Sequence, residues 1–393
     1  MTDTNGRSRR RFLRAVGAAG VAGLAGCSAE PAGDEATSEP PAGTDDDQMT
    51  TAGTTTGEPT ESMADTLVVA TYPPFVNAPS TSPGAWLKEE FESAFDATLV
   101  YQTPDSELNY YIERAVQGVD FEADVYVGLD TGQLIDVDGQ RGEGQFTGPL
   151  FAEAGAIEGL DAVRDGLQFD PQGRAVPFDT GYVSLVWNAT MDDGEFVAPE
   201  TFEELTQSEF ADDLIAQNPT TSTTGEAFML HTIDAFGADG YLDYWERLQD
   251  NGVTVLGNWS DSYSAYLNEE APMVVSYSTD QVFASAEGQD LDKHQIRFLN
   301  DQGYANPEGM ARFADSDAPR LAEAFMEFML RPEIQAGIAQ RNVAFPAIAD
   351  APLPDDYAQY AKQPPESVTF TYDELEANLG TWTDQWARRF AGG

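Results

Sequence analysis

Short apolar runs that alternate with longer amphipathic segments are the feature that most limits what this chain can fold into. The runs LVVAT at 67–71, ATLVY at 97–101 and ADVYVGL at 123–129 predict three buried strands. Helices are predicted between them, over 82–95 with Ser82 as N-cap and over about 105–117 with Asp105 as N-cap. Because each helix carries the chain back across the sheet, such strands pair in parallel, and the chain is predicted to be an α/β protein.

A second alternating series follows this first one. It comprises strands at 175–188, 253–256, 273–277 and 296–299, a helical region at 201–250, a helix from about Trp259, and helices at 317–340 and 372–391. In the last helix Trp382, Trp386 and Phe390 are spaced four residues apart, so they share one face that we expect to be buried. Two series of this kind predict two lobes of comparable size.

The first 27 residues have the composition of an export signal. The run SRRRFLR at 8–14 carries twin arginines before Phe-Leu, as in a Tat signal, and twelve small or apolar residues follow at 15–26. That run is shorter than the roughly 20 residues that span a bilayer as a helix. It ends in LAGC at 24–27, which resembles a lipobox, and Cys27 is the only cysteine. We therefore predict a Tat-type signal with a lipobox at 1–27 and a lipid anchor on Cys27.

The segment 28–65 reads as a disordered acidic tether. It is rich in Thr, Glu, Asp, Pro, Gly and Ala and contains no basic or aromatic residue. Such a composition buries too little apolar surface to order itself, and its like charges keep it extended. Export followed by anchoring and a stalk favours a receptor on the outer face of the cell membrane.

The charge of the whole chain is strongly negative, with 68 Asp and Glu against 20 Lys and Arg. This balance excludes a nucleic-acid binder that relies on phosphate contacts. Self-repulsion of this size is tolerated where salt screens it, so we expect a halophilic protein from a salt-rich habitat. One cysteine and two distant histidines, His231 and His294, argue against thiolate or histidine metal sites. No metal or cofactor is expected, although carboxylates alone can hold Ca²⁺ or Mg²⁺.

Candidate binding residues follow the predicted strands, since ligands of open α/β sheets lie beyond the carboxyl ends of the strands. The segments are YPPF at 72–75, TPDS at 103–106, GLD at 128–130, STTG at 222–225, NWS at 258–260 and YSTD at 277–280. They are rich in aromatic, hydroxyl and carboxylate groups and contain no Lys or Arg, which suits a flat organic cation. Structural roles remain open, because Ser222 and Asp105 are also good N-caps and Trp259 can simply pack the core.

The chain resembles the thiamine-binding subunits of bacterial and archaeal ABC importers from about residue 67 to residue 390. The motifs that carry this resemblance are ADVYVGLD at 123–130, VPFDTGY at 176–182, NPTTSTTG at 218–225, VTVLGNWSDSY at 253–263, MVVSYSTD at 273–280 and the carboxy-terminal FTYDELEANLGTWTDQWARRF. The resemblance implies a lipoprotein of the haloarchaeal kind with a two-lobed periplasmic binding protein type II fold. It assigns 66–178 and about 300–342 to lobe 1, and 179–299 and about 343–393 to lobe 2.

The same resemblance implies a monomeric binding protein without catalysis. It captures thiamine, with the phosphate esters as further candidate ligands, and delivers it to permease subunits in the membrane. The implied ligand contacts are Tyr72, Asp105, Ser106, Ser222, Thr223, Trp259, Tyr277, Ser278, Thr279, Asp280 and Gln281. The chain departs from the family pattern at Ser106, where a glycine is usual, at Phe283, where a tyrosine is usual, and near Val343, where a tryptophan is usual.

Two other functions remain as alternatives. An iron or polyamine receptor would have the same architecture, and the adjacent Tyr110 and Tyr111 resemble the paired tyrosines that bind ferric ion in some receptors. A secreted hydrolase is the alternative from another class. It needs a nucleophile with an oriented base or a metal-bound water, and neither His231 nor His294 falls in a segment that follows a strand.

The predicted anchor can be tested by replacing Cys27 with serine. Cys27→Ser removes the only thiol that a lipid can be attached to, so we expect the protein to be released into the medium with ligand binding intact. Fractionation of cells and medium measures this. A Cys27→Ser variant that stays with the membranes would contradict the lipobox assignment.

Overall fold

A computed structural model of the protein describes residues 63–390. The predicted Tat signal, Cys27 and all but the last three residues of the predicted tether lie outside this range. The described residues contain no helix long and apolar enough to cross a bilayer.

The strands alternate with helices as the sequence predicts. The strands are β1 Thr66–Thr71, β2 Thr98–Gln102, β3 Val125–Leu129, β4 Val176–Trp187, β5 Leu214–Gln217, β6 Thr254–Leu256, β7 Met273–Tyr277, β8 Gln295–Arg297, β9 Gln302–Arg312, β10 Phe345–Pro346 and β11 Glu366–Val368. The helices are α1 Pro73–Val76, α2 Gly84–Ala94, α3 Leu108–Gln117, α4 Thr131–Gly142, α5 Phe202–Leu205, α6 Thr223–Phe236, α7 Tyr241–Asp250, α8 Trp259–Leu267, α9 Asp280–Ala286, α10 Pro319–Met329, α11 Pro332–Ile338, α12 Tyr357–Tyr360 and α13 Tyr372–Phe390. The α/β class is confirmed.

Two groups of parallel strands are joined by two long antiparallel strands. β1 pairs in parallel with β2 and β3, and β5 pairs in parallel with β6 and β7. β4 and β9 pair with each other and connect the two groups, so the main strand order is β2-β1-β3-β9-β4-β7-β5-β6. β8 and β10 pair with β4, and β11 pairs with β9. β4 and β9 thereby join the two parallel groups into one sheet, which fixes the carboxyl ends of both groups relative to each other.

The hydrophobic core is divided between these groups of strands. One cluster packs α2, α10 and α11 against β1 and β3, and another packs α6, α7 and α13 against β4, β5 and β7. Trp382, Trp386 and Phe390 of α13 are buried, as predicted, and the Trp386 ring meets Trp245 edge-on at 5.3 Å between centroids. The boundaries of the predicted lobes stay a prediction.

Four strands were missed, β5, β9, β10 and β11, and of these β9 contributes residues to the candidate site. The predicted helical region at 201–250 is interrupted by β5, a four-residue strand too short to show a period. β9 contains Gly303, Asn306, Pro307 and Gly309, residues that disfavour strands, yet it pairs with β3 and β4 on its two sides. Tertiary pairing outweighs local propensity in β9.

Several helix boundaries predicted from capping residues and sequence pattern are wrong. α2 begins at Gly84 and α3 at Leu108, and neither Ser82 nor Asp105 caps them; the Ser82 hydroxyl instead donates to the Val76 carbonyl oxygen at 2.9 Å. The predicted helix at 317–340 is divided into α10 and α11, because Pro332 starts a new helix rather than continuing one. The Ser222 cap of α6 is confirmed, since its Oγ accepts from Gly225 N.

The buried His231 predicts an acid-dependent loss of stability. Its side chain is 3% exposed, packs edge-on against Phe202, and burial lowers its pKa to about 4. The unfolded chain takes up this proton near pH 6.5, so the free energy of unfolding should fall by roughly 3 kcal/mol between pH 6.5 and 4. His231→Leu should lack this component. Denaturant unfolding of both proteins across that range measures it, and identical pH dependence would contradict the assignment.

Candidate functional site

The predicted binding segments converge on one cavity of about 370 Å³, here called the main cavity. Seven of the predicted ligand contacts line it: Tyr72, Asp105, Ser222, Thr223, Trp259, Tyr277 and Asp280. They come from both groups of parallel strands, while β4 and β9 supply part of the wall between them. The rule that ligand sites lie at the carboxyl ends of strands therefore brings these residues together.

A second cavity of about 330 Å³ adjoins the main cavity. Its wall shares Asp105, Glu107 and the segment 221–223 with the main cavity. Ser106, another predicted contact, lines this second cavity and not the main one. The two cavities are therefore neighbouring parts of one site.

Three predicted contacts are placed behind the cavity walls. The Ser278 hydroxyl donates to the Lys362 carbonyl oxygen at 2.6 Å, and the Thr279 hydroxyl donates to the Val343 carbonyl oxygen. Gln281 is buried in the first turn of α9. None of the three is among the residues that line either cavity, and their role as ligand contacts stays a prediction.

Tyr72 is positioned by polar contacts at its hydroxyl and by a glycine beneath its ring. Its hydroxyl donates to Glu308 Oε2 at 3.0 Å and accepts from Asn342 Nδ2 at 3.1 Å. A Cβ atom at Gly128 would lie 2.3 Å from the Tyr72 ring, and Gly128 has φ +96°, so only glycine allows the ring to lie here. Gly128, the first residue of the GLD segment, therefore contributes to the site by having no side chain.

Tyr277 is fixed in a similar way on the other side of the main cavity. Its hydroxyl lies 3.2 Å from Thr224 Oγ1 and accepts from Asn306 Nδ2 at 3.3 Å. A Cβ atom at Gly181 would lie 2.5 Å from Tyr277 Cδ1, so β4 also needs a glycine beneath this ring. Both tyrosines thus have defined orientations before any ligand arrives.

Trp259, the first residue of α8, offers one free side of its indole to the main cavity. The ring stacks on Tyr263 with 4.8 Å between centroids and 16° between planes, and its Nε1 donates to Ser276 Oγ at 3.0 Å. Since Tyr263 covers one ring face, a ligand can contact only the opposite face or an edge. The stack on Tyr263 and the hydrogen bond to Ser276 hold the Trp259 ring in one orientation, so it forms a rigid part of the cavity wall.

Asp280 is held by protein partners on both carboxylate oxygens. Its Oδ1 accepts from the Tyr263 hydroxyl, and its Oδ2 lies 2.7 Å from His294 Nδ1. Both Asp280 and His294 are buried. Asp280 therefore orients Tyr263, and through it the Trp259 stack, while its second carboxylate oxygen contacts the His294 imidazole.

A carboxylate pair in the main cavity was missed by the sequence reasoning. Asp179 on β4 and Glu308 on β9 are directly paired in the strand register. Asp179 Oδ2 accepts from Asn342 Nδ2 at 2.6 Å, and burial raises the pKa of Asp179 to about 7. Burial and the neighbouring Asp179 also raise the pKa of Glu308 well above its ordinary value. The sequence did contain one signal for this pair, because Asp179 is a lone acidic residue within the otherwise largely apolar strand VPFDTGY.

Further carboxylates surround the second cavity. Burial raises the pKa of Asp130 to about 6, and burial together with the charge of Asp130 raises that of Glu107 to about 7. The pKa of Glu226 is raised well above its ordinary value by burial and by Asp130 and Asp136. A cation that binds beside these carboxyl groups would stabilise their charged form.

The chemistry of the site is that of an aromatic and acidic cleft. Among the described residues that line the two cavities there is no Lys, Arg or His. Aromatic faces attract a cation through the ring quadrupole, and the carboxylates supply the opposite charge. Within 63–390, no group of three or more His, Cys, Asp or Glu is placed so that it could hold a metal ion.

The adjacent tyrosines Tyr110 and Tyr111 do not contribute to either cavity. Tyr111 is buried and its hydroxyl donates to Gln102 Oε1 at 3.0 Å, while Tyr110 is exposed on the other side of α3. The observation that suggested a ferric-ion site is therefore explained by packing.

The fold and cleft described above are those of an extracellular solute-binding protein. The model of the bacterial extracellular solute-binding protein family matches residues 86–365, and the chain belongs to this family. Among individual relatives, the thiamine-binding periplasmic proteins of Salmonella typhimurium and Escherichia coli are each 30% identical over 322 residues, which is 82% of this chain and 92% of theirs. The thiamine-binding periplasmic protein of Brucella suis is 26% identical and covers 84% of this chain and 93% of its own length.

Solved structures confirm the predicted periplasmic binding protein fold. A periplasmic thiamin binding protein superposes with a TM-score of 0.71 at 28% identity, covering 82% of this chain and 96% of that one. A ferric ion-binding protein A of Pasteurella haemolytica has a TM-score of 0.65 at 13% identity, covering 83% of this chain and 98% of its own, and shares the fold.

The raised pKa of Asp179 predicts that its charge destabilises the empty protein. The native state keeps this proton until about pH 7, whereas an unfolded Asp loses it near pH 4, so stability contributed by the protonated form is lost as pH rises between these values. Asp179→Asn should therefore gain stability relative to the parent, by up to ~4 kcal/mol at pH 7 and above. Denaturant unfolding of the parent and of Asp179→Asn from pH 4 to 8 measures this difference in the free energy of unfolding. A difference that stays the same at every pH would contradict the prediction.

Proposed function

We propose that this protein is the extracytoplasmic substrate-binding subunit of an ABC importer and that its ligand is thiamine. The observation that carries this proposal is that the rigid aromatic residues Trp259 and Tyr277 line the same cavity as the buried Asp179 and the half-buried Glu308. Thiamine is an organic cation with two flat aromatic rings, which match the aromatic faces and the carboxylates of such a cleft. Relatives named as thiamine-binding proteins support this choice of ligand.

In the proposed complex the ligand lies in the main cavity with its rings against Trp259 and Tyr277. Asp179 and Glu308 supply negative charge to the thiazolium, while Asp105, Ser222 and Thr223 provide hydrogen-bonding groups at the shared wall. In this proposal the two lobes close around the ligand, since both groups of parallel strands contribute residues to the main cavity. The protein performs no catalysis in this scheme; His294 is buried against Asp280 and His231 lies in the core.

The cellular setting is proposed from the sequence. The Tat-type signal exports the folded protein, the lipid on Cys27 anchors it to the outer face of the membrane, and the acidic segment 28–65 carries the binding body away from the surface. The loaded monomer then delivers its ligand to the permease subunits. The charge of the chain suits a habitat with high salt.

Loss of the indole at position 259 tests the ligand and the residue together. Trp259→Ala removes a cation–π contact worth about 0.5–2 kcal/mol and apolar burial worth roughly 1–3 kcal/mol. Thiamine affinity should therefore fall by about 10-fold to 4,000-fold. Calorimetric titration at high salt measures it, and thiamine should also quench the tryptophan fluorescence of the parent.

The matched control is Tyr110→Ala, which removes an exposed aromatic residue that lines neither cavity and should leave the affinity unchanged. Spermidine and ferric citrate are titrated in parallel as representatives of the alternative receptors. Unchanged thiamine affinity in a folded Trp259→Ala protein would overturn the role of that residue. The absence of thiamine binding in the parent, together with binding of spermidine or ferric ion, would overturn the ligand.

A further inference from the structure

His294 lies directly behind the wall of the main cavity, although it lines neither cavity itself. Its side chain is buried, and its Nδ1 lies 2.7 Å from Asp280 Oδ2. Its ring also meets the Phe283 ring edge-on, with 6.3 Å between centroids. Asp280 and Phe283 are three residues apart on α9, and both line the main cavity. The imidazole therefore supports two residues of the cavity wall at once.

Asp280 connects this imidazole to the aromatic wall. The Tyr263 hydroxyl donates to Asp280 Oδ1, and the Tyr263 ring stacks on Trp259 with 16° between planes. Tyr263 and Asp280 are both buried, and buried polar groups keep their hydrogen-bond partners because few others are within reach. A continuous series of contacts thus runs from His294 to the indole of Trp259.

The backbone around His294 is fixed on both sides of the residue. On one side, the Tyr266 hydroxyl donates to the Lys293 carbonyl oxygen, and Ala189 N donates to the Asp292 carbonyl oxygen at 2.7 Å. On the other side, β8 begins at the next residue and pairs with β4. The imidazole is therefore held in place by the central strands of the sheet and by α8.

We propose that His294 is a positioning residue for ligand binding, which holds Trp259 in place through Asp280 and Tyr263. The proposal rests on the proposed function and adds a residue outside both cavities to its binding site. Without the imidazole, Asp280 Oδ2 loses a partner and turns toward the water of the cavity that Asp280 lines. Tyr263 then loses its acceptor, and the indole stacked on it is no longer confined to one orientation. The link holds whether Nδ1 or the carboxyl group donates, because each can take either role.

The second histidine, His231, is the matched control for a buried imidazole that only fills the core. It is as buried as His294, but its ring packs on Phe202 and its Nε2 has no hydrogen-bond partner among the described residues. His231 lines neither cavity. Replacing it with leucine should change stability without changing ligand affinity.

Calorimetric titration with thiamine at high salt tests the proposal on two variants of His294. His294→Leu removes the hydrogen bond to Asp280, whereas His294→Asn keeps an amide with a donor and an acceptor near the position of Nδ1. We expect thiamine affinity to fall by roughly 3-fold to 100-fold in His294→Leu, to be largely restored in His294→Asn, and to keep its parent value in His231→Leu. Parent affinity in a folded His294→Leu protein, or equal losses in the leucine and asparagine variants, would overturn the proposal.

A double-mutant cycle tests the route through the indole. In a Trp259→Ala background, His294→Leu should have little further effect on thiamine affinity, because the side chain that it positions is gone. A loss of the same size in both backgrounds would show that His294 does not act through Trp259 and would overturn the proposal.

A measurement without ligand separates this proposal from the proposed function. In each protein, the near-ultraviolet circular dichroism spectrum minus that of the same protein with Trp259→Phe isolates the Trp259 signal, which depends on fixed packing. The signal should weaken in His294→Leu and persist in His231→Leu. It should also weaken in Tyr263→Phe, which keeps the ring but removes the hydroxyl that reaches Asp280, so this variant decides the matter if His294→Leu does not fold. An unchanged signal in the folded variants would overturn the positioning role, whereas a weakened signal in a protein that does not bind thiamine would overturn the proposed function alone.

Discussion

Two carboxylates that face each other on adjacent strands are the constraint around which this site is arranged. Asp179 and Glu308 are paired in the register of β4 and β9, and burial raises the pKa of each. The Asn342 amide and the Tyr72 hydroxyl hydrogen-bond to them, but neither neutralises a charge. A cation bound in the main cavity would do so, and the pair therefore favours a positively charged ligand.

Tertiary contacts also hold the aromatic walls of the main cavity rigid. Trp259 is held by Tyr263 and Ser276, and Tyr263 in turn donates to Asp280. Tyr72 and Tyr277 lie over glycines and have hydrogen bonds at their hydroxyls. A wall that is already ordered loses little side-chain entropy when the ligand binds, so more of the contact energy appears as affinity.

The fold alone does not choose the ligand. A ferric ion-binding protein shares this fold at 13% identity, and one fold can carry binding sites of different chemistry. In this chain the candidate iron residues are accounted for by packing of Tyr111, and the cleft offers aromatic faces beside acids instead. The choice of ligand is therefore argued from the lining of the main cavity and from the more similar thiamine-binding relatives.

The sequence by itself determined the α/β class, the parallel strand groups, the buried face of α13 and seven residues that line the main cavity, because local periodicity and the strand-end rule are properties of short segments. Tertiary structure alone decided the rest. β5 is too short to show a period, and β9 exists as a strand because β3 and β4 pair with it despite its Gly and Pro residues. Asp179 and Glu308 are far apart in the chain, and only the register of β4 and β9 makes them neighbours, since strand pairing joins residues without regard to their separation in sequence.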